Sequence, residues 1–125
     1  MPADNRIDRP ERVVYSRAWG VLTDQELTAN RAALFGDPAF EPDMAQLFDF
    51  TDVTEDRVTS GTLLHLALMS RFTSTARRAI VVSTDVGYGM ARMYSMLSGR
   101  EDVIHVFRDR ASALRWLDST TAQGS

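Results

Sequence analysis

The stretch GYGMARMYSML, residues 87–97, follows the short apolar run AIVVS. Glycines at the entrance to a helix can form a phosphate cradle, where free backbone amides and the helix dipole receive an anion. A dinucleotide fingerprint needs a third glycine, and Arg92 stands in its place. A P-loop needs Gly-Lys-Ser/Thr, and the chain contains no lysine. Gly87 and Gly89 therefore read as a tight strand-to-helix turn with close backbone approach. What anion chemistry is left is a weak contact at the amides near Gly89, with Arg92 one turn on.

Asp49, Asp52, Asp56 and Asp85 lie near the C-terminal ends of expected strands, where open parallel sheets place their sites. Carboxylates there serve acid–base chemistry or hold a divalent cation, and they equally form loops and caps. No cysteine is present, so thiolate nucleophiles, disulfides and thiolate metal sites are excluded. His65 and His105 fall in different predicted elements, so no metal site and no cofactor are expected. His105 reads as a half-buried strand residue, and Arg77–Arg78 as a solvated pair at a strand entrance. With no G-x-S-x-G elbow and no activating base beside the carboxylates, enzymatic activity is not expected.

These residues must be positioned by one domain. A chain of 125 residues with 44% hydrophobic content can bury a core without metal or disulfide help. The formal charge of -3 argues against a nucleic-acid partner, which requires a basic face. Every basic residue is arginine, which genome base composition explains most simply. No long apolar run and no apolar leader occur, so a cytoplasmic protein with no integral membrane segment is expected. The expected domain covers residues 1–125, with an ordered core of about 5–118 and a frayed tail, TTAQGS.

Residues 5–8 and 12–19 predict a hairpin. Thr23 and Glu26 have capping-box spacing, Leu22 and Leu27 stand where a hydrophobic staple would, and Gly36–Asp37–Pro38 end the first helix. MAQLFDF (44–50) predicts a buried strand, TDVTEDRV a loop, and TSGTLLHLALMSRF a helix from about 60 to 72. AIVVS predicts a strand; the next helix turns Met90, Met93, Tyr94 and Leu97 to the core. DVIHVF (102–107) is the last strand, and Asp109 caps the last helix. Strand–helix alternation after the hairpin predicts an α/β domain with a mixed, mainly parallel sheet and about four helices.

RIDRPERVVYSRAWGVLTDQEL, LFDFTDVT, RRAIVVSTDVGYGMARMYSML and IHVFRDRASALRWL, spread over residues 6–118, together resemble the SpoIIAA-like branch of the STAS superfamily (STAS/SEC14-like). The resemblance implies successive β-α units, no metal and no enzymatic activity. It also implies a phosphoacceptor in a D-S-S-G-type turn at a helix start. VTSG, residues 58–61, matches that turn at Thr59, Ser60 and Gly61, with Val58 in place of the acidic residue. Thr59 and Ser60 are thus the candidate acceptors, and Ser60 is equally a candidate N-cap.

The expected role is a non-enzymatic regulatory or protein-interaction module that forms a homodimer. The alternative, implied by the SEC14-like side of the resemblance, is a protein that binds a small hydrophobic ligand or lipid. Leu63, Leu64, Leu66 and Ala67 suffice for one buried helix face. His65, Leu68, Met69 and Phe72 then form a second face, to be covered by a partner subunit or a ligand.

Overall fold

Among the described residues nine elements follow one another: β1 (Ala3–Asp8), β2 (Val13–Thr23), α1 (Asp24–Gly36), β3 (Ala45–Arg57), α2 (Ser60–Leu68), β4 (Arg78–Val81), α3 (Asp85–Leu97), β5 (Ile104–Phe107) and α4 (Arg110–Gln123). The structure, a computed structural model, describes residues 2–123, and side chains as far as Asp118. The strands form one sheet in the order β1-β2-β3-β4-β5, with β1/β2 antiparallel and the other pairs parallel. This is the mixed sheet with an N-terminal hairpin that the sequence predicts.

The strand order has a direct consequence. Each parallel strand is laid down next to its predecessor in the same direction, so right-handed crossovers place α1, α2 and α3 on one face. Only α4, after the last strand, is left to cover the other. The cores divide accordingly. Leu47, Ala79 and Val81 pack with Ala113 and Leu117 of α4. Ile80, Val82 and Ile104 face Leu27 of α1, Leu63 and Leu66 of α2 and Ala91 and Tyr94 of α3. Successive residues of β3 and β4 alternate between the two layers, as the period of a strand requires.

Both central strands exceed their predicted lengths. β2 and β3 pair from Val13↔Ala45 to Thr23↔Arg57, with register shifts beside Gly20. Gly20 has φ +65, the left-handed backbone that a bulge residue adopts most readily as glycine. The segment expected as the loop TDVTEDRV is mostly strand, because pairing with β2 satisfies its backbone while its polar side chains stay exposed. The helical end of α4 includes residues 120–123 of the tail expected to fray; residues 124–125 lie outside the described residues.

Two helix predictions need correction. α2 ends at Leu68, not near residue 72, with Met69 as its C-cap. Phe72 then turns inward, 2% exposed, and packs edge-on against Phe35 and Phe40 at ring separations of 5.8 and 5.2 Å. In α3 the buried face is Ala91, Tyr94 and Ser95, while Met93 and Leu97 are exposed. The cause is Gly87: a Cβ there would meet the Thr84 hydroxyl at 3.0 Å and Val82 at 3.4 Å. The helix start sits against β4, and the small residues at 87, 91 and 95 on one face allow that approach.

Candidate functional site

A cavity of about 340 Å³ lies between the three-helix face of the sheet and α1, α2 and α3. Its middle is apolar, walled by Phe48 and Phe50, whose rings stack at 4.2 Å, and by Leu63, Leu66, Ile80 and Met90. One end reaches Asp56, Ser83, Thr84 and Val86, all exposed, at the C-terminal edge of the sheet. Open parallel sheets receive ligands at that edge. The other end lies over the starts of β3 and β4 and is formed by Gln46, Arg78, Arg31 and Tyr94.

That inner end is anchored by a chain of hydrogen bonds across four strands. Asn30 of α1 donates to Asn5 Oδ1 at 3.2 Å, and Ser16 Oγ donates to the same oxygen at 2.7 Å. Gln46 Nε2 donates to Ser16 Oγ at 3.0 Å, and Arg78 Nε donates to Gln46 Oε1 at 3.2 Å. Asn30, Ser16, Gln46 and Arg78 are all buried. Every link uses a donor and an acceptor that would otherwise be stranded away from water.

The chain ends in cations without an acid. Arg78 is 6% exposed, so the solvated pair expected at Arg77–Arg78 is half wrong. Its guanidinium lies 4.3 Å over the Phe72 ring and 5.3 Å from the Tyr94 ring, and its Nη1 is buried with no hydrogen-bond partner. Arg31 reaches in from α1; its Nη1 donates to the Tyr94 hydroxyl at 3.5 Å, while Nε and Nη2 are buried and unpartnered. Arg100 donates to the carbonyls of Phe72 and Thr73. Among the described residues no carboxylate lies within 4.0 Å of Arg31, Arg78 or Arg100. Burial, aided by the charge of Arg78, lowers the affinity of Arg31 for its proton. Burial alone would raise the Tyr94 phenol, but the charges of Arg78 and Arg31 outweigh it and hold the phenol below its usual value.

The predicted site residues fall elsewhere. Thr59, not Ser60, is the N-cap of α2: its hydroxyl accepts from Thr62 N–H at 3.4 Å and donates to Asp24 Oδ2 at 2.8 Å. Ser60 is exposed at the first helical position. His65, Leu68 and Met69 are exposed on α2, whereas Phe72 belongs to the monomer core and lines the cavity. The amides expected to be free near Gly89 are committed. Gly87 N–H donates to the Thr84 hydroxyl at 3.0 Å and Tyr88 N–H to the Thr84 carbonyl at 2.9 Å, so Gly89 lies past the open turn. Arg92 is exposed.

Asp49 and Asp85 do lie toward the C-terminal edge of parallel neighbours, and each is paired: Arg110 with Asp49 at 3.3 Å, Arg108 with Asp85 at 2.8 Å. Among the described residues, no group of three or more His, Asp or Glu is placed to hold a metal ion. None of the described helices is long and apolar enough to cross a membrane. Sequence reading missed Arg31, Gln46 and Tyr94 as a site. A polar residue within an apolar strand start (Gln46 in MAQLFDF, Arg78 before AIVV) was the available signal.

No protein-family model and no curated protein matches the chain. Among solved structures, it is similar to an uncharacterised protein of the DUF3478 family with a SpoIIAA-like fold from Shewanella loihica PV-4. The two are 22% identical, with a TM-score of 0.59 over 92% of this chain and 93% of that one. The chain therefore has a SpoIIAA-like fold.

Proposed function

We propose that the protein is a non-enzymatic binding module that encloses a small apolar molecule between its sheet and α1–α3. The observation that carries this reading is the cavity itself. Its volume of about 340 Å³ falls within the range of ligand sites, roughly 300–1,000 Å³. The cavity opens to solvent at Asp56, Ser83, Thr84 and Val86. Water satisfies a polar cavity but gains little from walls of Phe, Leu and Ile. An apolar guest covers those walls and releases that water.

This places the ligand-binding alternative ahead of the protein-interaction reading. The latter keeps one specific support: Leu68 and Met69 on α2, 69% and 64% exposed, accompany exposed Met93 and Met96 on α3. Such residues are ordinary components of a homodimer face.

Binding of an uncharged fluorescent apolar probe, N-phenyl-1-naphthylamine, tests the proposal. The protein binds the probe saturably at one site, and Ala91→Phe or Leu66→Trp, which fill the cavity, weakens binding about tenfold or more while circular dichroism is unchanged. Absence of saturable binding, or binding indifferent to both folded variants, overturns it.

A further inference from the structure

We infer that the inner end of the cavity is an oxyanion site, so that the ligand is an amphiphile whose anionic head sits among Arg31, Arg78 and Tyr94 and whose apolar tail runs between Phe48, Leu66 and Met90. The inference rests on the cavity's being a ligand site and adds the chemical class of the ligand.

The argument begins with charge. Arg31 and Arg78 are the two guanidinium groups that line the cavity, and three of their nitrogens are buried without a partner. Arginine does not shed its proton to escape such a setting. A buried, unpaired cation is among the least favourable groups a protein can hold, and a hydrogen-bonded anion is its remedy. The chain supplies none there, although Arg6, Arg12, Arg17, Arg57, Arg108 and Arg110 all have carboxylate partners. Arg71 and Arg100, which also lack a carboxylate partner, donate instead to backbone carbonyls. Among the described residues the buried side-chain nitrogens without a hydrogen-bond partner are those of the two cavity arginines.

Geometry makes the site specific. Gln46 takes the Nε of Arg78, which fixes the orientation of that fork and leaves Nη1 for another acceptor. Arg31 lies over the Phe35 ring at 4.8 Å and Arg78 over the Phe72 ring at 4.3 Å, so both planar groups are held by aromatic faces that cannot accept in-plane hydrogen bonds. Arg31 donates toward the Tyr94 oxygen, leaving the phenolic proton for an acceptor in the cavity. Forked guanidinium donors and a hydroxyl are the usual complement of a carboxylate or phosphate. The apolar walls beyond them exclude a free inorganic ion as the full occupant.

The test displaces the bound naphthylamine probe with decanoate, decyl phosphate and decanol. Decanoate or decyl phosphate displaces it about tenfold or more tighter than decanol. Whichever of the two binds tighter identifies the head as carboxylate or phosphate monoester. Arg31→Met and Arg78→Met, which keep the stem and remove the charge, bring the anions to the affinity of decanol and leave decanol unchanged. If Arg78→Met fails to fold, Tyr94→Phe with Arg31→Met carries the same comparison. Decanol matching both anions in the unmodified protein, or variants that weaken all three equally, overturns the anionic head but not the cavity. Probe binding that none of the three displaces does the same. Failure of the probe itself to bind removes the cavity reading, and this inference with it.

Discussion

Asp24, the first residue of α1, holds Thr59, the N-cap of α2, by both of its donors: the N–H reaches Oδ1 at 2.7 Å and the hydroxyl reaches Oδ2 at 2.8 Å. One carboxylate thus ties together the starts of two crossover helices. The hydrogen bonds from the Thr59 amide and then its hydroxyl hold the Asp24 carboxyl below the usual carboxylate range. A depressed carboxyl contributes stability that is complete above its unfolded value, about 3.9, and is lost as pH falls through its folded value. Asp24→Asn therefore melts at a lower temperature than the unmodified protein at pH 7. The gap closes in acid, below the folded value, as a pH series of thermal melts will record.

The same contact separates the two candidate phosphoacceptors. Thr59→Glu sets a second carboxylate against Asp24 and removes the cap, and lowers the melting temperature. Thr59→Ala costs about 1 kcal/mol in a denaturant titration, the usual value of a lost cap. Ser60→Asp adds charge to a first turn that has no acidic residue, and there it complements the helix dipole. Its melting temperature stays within about 2 °C of the original, since exposed substitutions of this kind are nearly neutral.

Tyrosinate absorbance will resolve Tyr94. Its phenol titrates below the ordinary value of about 10, and Tyr15 above it, because burial and then the hydrogen bond to Glu11 raise the latter. Tyr94→Phe deletes the early phase. A depressed phenol adds stability as pH rises from its folded toward its unfolded value, so the variant also lacks that alkaline gain. Decanoate shifts the early phase upward, since a second anion beside Arg31 and Arg78 competes with tyrosinate.

Gln46→Glu places an internal carboxylate at the position from which Gln46 Oε1 meets Arg78 Nε at 3.2 Å. An anion supplied by the chain substitutes for one supplied by the ligand. Decanoate affinity falls about tenfold or more, as expected for a lost charge-assisted contact, while decanol affinity is retained. Probe displacement measures both.

Phe72 and Leu68, four residues apart, behave oppositely. Phe72→Ala costs about 3–5 kcal/mol in urea unfolding, the usual range for emptying a buried aromatic position. Leu68→Ser with Met69→Ser changes stability by no more than about 0.5 kcal/mol per site. If a homodimer uses this face, the double variant instead halves the mass seen by sedimentation. A mass that is unchanged, with the original dimeric, removes α2 from the interface.

The architecture was legible in the sequence because it depends on local signals. Thr23 and Glu26 do cap α1, with Glu26 N–H donating to the Thr23 hydroxyl and that hydroxyl to Glu26 Oε1. Asp109 does cap α4, accepting from Ser112 N–H at 2.8 Å. Alternation of strand and helix then dictates a parallel sheet, and the SpoIIAA-like neighbour agrees with it. Periodicity was weaker where apolar residues were plentiful. The wheel of α3 pointed to Met90, Met93, Tyr94 and Leu97 as the core face, whereas the approach of Gly87 to Val82 turns the side of Gly87, Ala91 and Ser95 inward.

The candidate site was not legible, because its residues have no local relationship. Arg31, Gln46, Arg78 and Tyr94 come from α1, β3, β4 and α3, and each by itself resembles a surface or core residue of its element. Composition, caps and strand–helix alternation by themselves determined one α/β domain with an N-terminal hairpin, a mainly parallel sheet and about four helices. That three helices share a face, that a cavity remains beneath them, and that two arginines meet there without an acid was decided only by tertiary structure. The physical reason is that burial and charge pairing belong to positions in space, and side chains distant in the sequence become neighbours only when the strands are laid in order.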